Sequence, residues 1–284
     1  RAAQTKLVRW AILSGIGAGL MFATKETFVL SIFAMSVAGV VTAWTIKPKE
    51  TTWRNWFALV PVRHLGLAVA AAVGVWLLFF SSFFTNFRGL ADSVLTYFPW
   101  LQRAGGDSPH IHPWYFYLQR LAWFDSAKGP VWSEGLILIL AVGGAAVAAF
   151  RKQAPLLRFL AVYTLVLTAV YSAISYKTPW CLLGFYHGMI LLAGVGAATL
   201  IEGARERAIR ASIAVILLGF SAQLGVQAWR GSYVYVADSR NPYVYAQTVP
   251  DILNLVKRAE GIARVSSEGL ETVVKVVAPE SDYW

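Results

Sequence analysis

Seven apolar runs divide this chain: residues 7–24, 27–46, 65–84, 131–150, 156–175, 180–201 and 209–229. A helix that crosses a bilayer needs about 20 mostly apolar residues, so each run predicts a spanning helix. Arg9, Arg158 and Arg210 lie near the ends of their runs, where long cationic side chains reach the headgroups. Between the third and fourth runs lies a long aromatic-rich connection, residues 85–130. In it Pro113 through Phe124 predicts a short amphipathic helix lying on the outer surface. After Trp229 the pattern changes. Residues 232–236 alternate as a strand does, Thr248 and Asp251 form a capping box with Pro250 in the first turn, and 272–277 reads as a second strand. Two parts are expected, a transmembrane region over 1–229 and the start of an extracytoplasmic α/β domain over 230–284.

Composition agrees with a polytopic α-helical membrane protein: 57% of residues are hydrophobic, 14% are charged, and the mean hydropathy is +0.55. Soluble domains carry about 25% charged residues. The net charge of +10 is distributed as a topology signal. The connections holding Arg1, Lys6, Arg9; Lys47, Lys49, Arg54, Arg63; Arg151, Lys152, Arg158; and Arg205, Arg207, Arg210 carry thirteen cations. The two short connections on the other side carry only Lys25 and Lys177. The start is therefore expected in the cytoplasm and the tail outside, and most of the excess charge is a topology signal rather than a sign of nucleic acid. One cysteine, Cys181, allows no internal disulfide. The opening at Arg1 and the stop at Trp284 lead us to expect a longer chain, with further spans upstream.

Candidate chemistry gathers on the expected outer side. Lys177 sits in the tip of the hairpin 172–181, between Tyr176 and Trp180, and Lys25 and Glu26 fill the turn 23–27. Two readings stay open at both places: an interfacial turn with a snorkelling or self-paired cation, or a cation held where a lipid phosphate lies. The long connection offers His110, His112, Trp114, Tyr115 and Tyr117 as a cap with aromatic faces for sugar or lipid. His110 and His112, with Asp107, are weak candidates for a divalent metal, since a site needs more ligands than these. Glu134 opens the fourth run at headgroup level, and His187 is expected to be buried against a neighbouring helix. Gly15, Gly17 and Gly19, Gly143 and Gly144, and Gly184, Gly188, Gly194 and Gly196 predict close helix packing.

Residues 17–30 with Thr24-Lys-Glu26, the loop His112-Pro-Trp-Tyr-Phe-Tyr117 and the hairpin Ser172–Trp180 together resemble the GT-C membrane glycosyltransferases. That group includes the protein O-mannosyltransferases and the aminoarabinose transferases. Asn241-Pro-Tyr-Val-Tyr245 and Pro279-Glu-Ser-Asp-Tyr-Trp284 resemble its flippase-activity-associated branch. The resemblance implies a GT-C-like fold and sugar transfer from a polyprenyl-phosphate donor to a glycan, lipid or protein acceptor outside the membrane. It also implies that Lys25 and Lys177 lie at the donor phosphate, and that a catalytic carboxylate lies upstream of Arg1. Glu26, Tyr176 and Trp180 are further cavity candidates. The other expectations are a transporter or flippase component that moves the same lipid without chemistry, and a membrane scaffold with an extracytoplasmic binding domain.

The topology makes a direct prediction. With Cys181 replaced by serine, an impermeant maleimide added from outside modifies a cysteine placed at Ser108 and spares one at Thr51; the reverse pattern would invert the assignment.

Overall fold

The computed structural model describes residues 7–46, 61–105, 110–126, 129–151, 154–244 and 251–275. Each of the seven apolar runs contains a helix: α1 (Val8–Thr24), α2 (Phe28–Ile46), α3 (Val62–Phe80), α7 (Gly135–Phe150), α8 (Pro155–Ala173), α9 (Leu183–Gly203) and α10 (Arg207–Trp229). Between α3 and α7 lie α4 (Arg88–Leu95), α5 (Tyr97–Gly105) and α6 (Phe116–Ala122); α11 (Asp251–Val265) follows the bundle. Five helical stretches are long and apolar enough to cross a membrane, the make-up of a helical membrane protein: Phe28–Thr45, Val62–Phe80, Pro155–Ala173, Pro179–Gly203 and Arg207–Val234. The helices α1 and α7 are apolar and shorter, at 17 and 16 residues.

Prolines set two of the helix starts. Pro155 occupies the first turn of α8, where its missing N–H has no intrahelical partner to lose. Pro179 begins the 3-10 turn Pro179–Leu182 that leads into α9, and it holds Thr178 extended at φ −124°. The third helix stops earlier than its apolar run. Ser82, Phe83 and Phe84 take positive φ values of 49°, 57° and 69°, and the buried Ser81 hydroxyl accepts the Phe84 N–H at 2.9 Å. An apolar run cannot announce such a turn, since its phenylalanines suit a span equally well.

Helices pair where side chains are smallest. The first pair is α1 with α3, the second α7 with α9, and α8 packs on both α2 and α9. A Cβ at Gly15 would collide with the Ala68 carbonyl of α3, one at Gly144 with the Leu192 carbonyl of α9, and one at Gly196 with the Leu140 carbonyl of α7. Backbones this close gain van der Waals contact that lipid cannot replace. The glycine expectation is met at Gly15, Gly19, Gly144, Gly188 and Gly196, whereas Gly17 and Gly194 face open space.

Three expectations are corrected here. Among the described residues of 230–284 no strand forms. Arg230–Val234 continues α10 as a π-helical turn, Thr272–Lys275 is not in a strand, and only the helix of the expected α/β unit is present. Alternation of Tyr and Val at 232–236 also suits an exposed helical turn, and no partner strand is at hand to pair with it. The segment from Pro113 forms a shorter amphipathic helix than expected, Phe116–Ala122, with Gln119 exposed. It turns at Pro113 and then forms α6, which buries Phe116, Tyr117 and Leu121 in the bundle. His187 is exposed on α9, because the packed face of that helix carries Phe185, Gly188, Met189 and Leu192 and His187 lies off it. Residues 106–109 and 245–250, with Asp107, Tyr245 and Thr248, lie outside the described residues, as do the second strand's end and 279–284.

The packing predicts a contrast between two glycines of neighbouring helices. Gly144→Val lowers detergent-solubilised stability by about 1–3 kcal/mol, the usual cost of overpacking, while Gly194→Ala leaves the melting temperature unchanged. Thermal unfolding of the two variants beside the parent measures it.

Candidate functional site

At one end of the bundle the turn after α1 meets the turn after α8. Lys25 leaves α1 extended, and its Nζ lies 5.4 Å from the ring centre of Trp180. Together the two turns wall a cavity of about 190 Å³. Its polar lining comes from Lys25, Glu26, Thr27, Tyr171, Tyr176 and Thr178, its apolar lining from Leu30, Ile174 and Trp180, and Cys181 faces it as well. A second cavity of about 340 Å³ shares Lys25 and Glu26 as a wall and extends toward Asp92, Ser93 and Thr96 of α4 and its end. The Tyr97 hydroxyl donates to the Glu26 carbonyl at 3.0 Å and so fixes the α1–α2 turn from the side of the long connection.

The hairpin tip is held by that same connection. His112 N–H donates to the Ser175 carbonyl at 3.1 Å, and Lys177 N–H donates to the His110 carbonyl at 2.9 Å, an antiparallel bridge centred on Ile111 and Tyr176. The other end of α6 is pinned in the same way, by paired bonds of 2.9 Å between Phe124 and Trp132. From α6 itself the buried Tyr117 hydroxyl donates to the Thr178 carbonyl at 3.3 Å, directly behind the cavity wall.

Lys177 and Lys25 are placed differently. Lys177 is 1% exposed and does not line the cavity. Its ammonium donates to the Ser172 carbonyl at 3.0 Å and to the Ile174 carbonyl, the last acceptors of α8. Those carbonyls have no intrahelical donor, and the negative end of the helix dipole favours a cation there. Burial also holds the Lys177 amine below its usual pKa. The short polar tip that invites a phosphate reading is thus filled by a helix cap, and Lys25 alone of the two brings its cation to the cavity.

Of the remaining sequence candidates, Glu26, Tyr176 and Trp180 line the cavity and Tyr117 supports it. Trp114 and Tyr115 are exposed and do not line it. His110 packs edge-on to Tyr176, and His112 stacks on Phe116 at 4.1 Å, so the two imidazoles serve different aromatic partners. No group of three His, Cys, Asp or Glu side chains that could hold a metal occurs among the described residues.

A second polar centre was hidden in the sequence. Glu134, at the N-terminus of α7, accepts from Tyr186 Oη at 2.6 Å, Gln227 Nε2 at 2.7 Å and Tyr243 Oη at 3.2 Å. Burial and the Glu134 carboxylate push the Tyr243 phenol above its ordinary pKa, so it stays a donor. Arg120 of α6 donates to the Pro242 carbonyl at 2.5 Å and lies over the rings of Phe116 and Phe124. Asn241 donates to the carbonyls of Gly231 and Tyr235 and accepts the Tyr243 N–H. These contacts clamp the segment after α10 onto α6, α7 and α9. A carboxylate at the head of an apolar run was the available signal; its donors are too distant in sequence to be read.

Comparison with protein-family models, with curated proteins and with solved structures finds no match to this chain.

His112 carries the pH dependence of this region. Desolvation, then the charges of Arg120, His110 and Lys177, lower its pKa from the ordinary histidine value. The unfolded chain therefore binds a proton that the folded chain refuses as pH falls below about 6.5, and stability is lost over that window. Amides of His112 and Lys177 are expected to exchange faster at pH 5.5 than at pH 7.5, after correction for intrinsic rates, and His112→Phe is expected to abolish the difference.

Proposed function

We propose that this protein is a membrane glycosyltransferase of the GT-C type, taking a sugar from a polyprenyl-phosphate donor at the Lys25 cavity and passing it to a hydroxyl acceptor. The supporting observation is the meeting of the two turns, which sets an ammonium on an aromatic face beside a carboxylate and several hydroxyls, at the end of an apolar bundle. An amphipathic sugar phosphate asks for that mixture: a cation for the phosphate, hydroxyl partners and an aromatic face for the sugar, and an apolar flank for the prenyl chain.

In this reading the bond from the sugar C1 to the phosphate oxygen breaks, and Lys25 stabilises the charge that gathers on the leaving phosphate. The acceptor oxygen bonds to C1, and its proton passes to a carboxylate. Within the cavity that carboxylate is Glu26; the resemblance reserves the role for an upstream residue, and the two assignments predict different variants. Lys177 supports the site by shaping the tip. A flippase component moving the same lipid needs the cation and the aromatic face and no base.

Cys181, the sole thiol in the chain, reports occupancy independently of turnover. In liposomes carrying a polyprenyl-phosphate sugar, donor should slow Cys181 alkylation by N-ethylmaleimide in the parent. Lys25→Ala is expected to remove that protection and the consumption of donor. Glu26→Gln should keep protection and lose about a hundredfold or more in transfer, the usual weight of a general base. Equal transfer by Glu26→Gln assigns the base upstream, and protection with no transfer by the parent favours the carrier. Lys177→Ala is expected to melt earlier and to retain donor protection at low temperature; loss of protection in a folded variant would return it to the phosphate.

A further inference from the structure

Away from the Lys25 cavity, a third hollow of about 280 Å³ lies between the last turns of α10 and the segment entering α7. We propose that it binds a phosphate oxyanion, carried by an anionic phospholipid of the surrounding leaflet. Trp132 lines the hollow, is 2% exposed, and its indole N–H has no hydrogen-bond partner among the described residues. A buried donor left unmade is costly, and native structures seldom keep one. Arg230 lines the same hollow, and no ion pair engages its guanidinium among the described residues. Gln223 adds an amide, one of whose N–H groups reaches Gln227 Oε1 at 3.4 Å.

The acceptors nearby are already engaged. Gln227 Oε1 also receives the Ser133 N–H at 2.9 Å, and Gln227 Nε2 is turned away to Glu134. The Gln223 amide oxygen is the one side-chain acceptor of the lining left free among the described residues. An Arg230 guanidinium without an ion pair beside an indole N–H without a partner, among the described residues, fits an oxyanion, and a guanidinium can meet a phosphate with two parallel bonds. Val131 and Val226 supply the apolar flank that a glycerol and acyl chain would cover. Trp229 and Tyr233, both exposed and 6.3 Å apart, stand next to the hollow as interfacial aromatics do at headgroup depth. The Glu134 carboxylate, one amide away, is screened from the hollow by its three donors.

The full chain in phosphatidylcholine nanodiscs containing a minority of phosphatidylglycerol tests this by native mass spectrometry of retained lipid. One phosphatidylglycerol per protein is expected, with retention falling at least tenfold in Arg230→Ala, about threefold in Trp132→Phe, and not at all in Lys25→Ala. A parallel arm adds inorganic phosphate to phosphatidylcholine nanodiscs. An Arg230-dependent rise in melting temperature there, with no retained phosphatidylglycerol, keeps the site and assigns it to free phosphate. If Trp132→Phe does not fold, Arg230→Ala and Gln223→Ala carry the test. Arg230→Ala that melts like the parent and responds equally in both arms overturns the proposal. Loss of the lipid in Lys25→Ala overturns it too, since the lipid then belongs to the first cavity, whose own reading is judged by Cys181 protection.

Discussion

The end of α8 poses a problem that the rest of this face is built around. Its last carbonyls point toward the boundary of an apolar bundle, where water cannot be relied on to satisfy them. Lys177 folds back from the following turn and donates its ammonium to the Ser172 and Ile174 carbonyls. With the side chain turned inward, the backbone of the tip is left outermost. Its Ser175 carbonyl and Lys177 N–H then pair with residues 110–112. The same turn presents Thr178 and Trp180 to Lys25 across the cavity. One buried cation thus fixes the tip, the anchorage of the long connection, and one wall of the candidate site.

A second ionic centre does the same for the chain beyond the bundle. Glu134 gathers donors from α9, α10 and the segment after α10, while Arg120 holds that segment from α6. The helix α6 lies between the two centres. Tyr117 on it touches the Thr178 carbonyl behind the cavity, and Arg120, one turn further on, touches Pro242. Packed side chains therefore run continuously from the cavity wall to the segment after α10. Any movement of that segment has a short mechanical route to the site.

Each of the apolar runs contains a helix, since about 20 apolar residues between polar connections have few other stable outcomes. The glycine clusters also foretold close packing, although which glycine of each cluster meets a neighbour depends on helix rotation. Local patterns failed where a partner was needed. Of the alternating residues 232–236, those up to Val234 continue the helix as a π turn, and no strand among the described residues pairs with them. His187 is exposed, and α6 sinks its aromatic face into the bundle, both decided by which face of each helix its neighbours cover.

Sequence by itself therefore determined the class of protein, the order of its apolar helices and the two turns where polar chemistry sits among aromatics. Tertiary structure decided the rest. Lys25 and Lys177 are equivalent in sequence, each a lone cation in a short turn, yet one opens onto a cavity and the other caps a helix. The difference is the distance of an ammonium from unpaired carbonyls, a quantity that exists only once the turn has folded. Glu134 likewise became a junction through donors 52, 93 and 109 residues away along the chain. Hydrogen bonds act over about 3 Å of space and take no account of separation along the chain, so no spacing within the sequence could have named its partners.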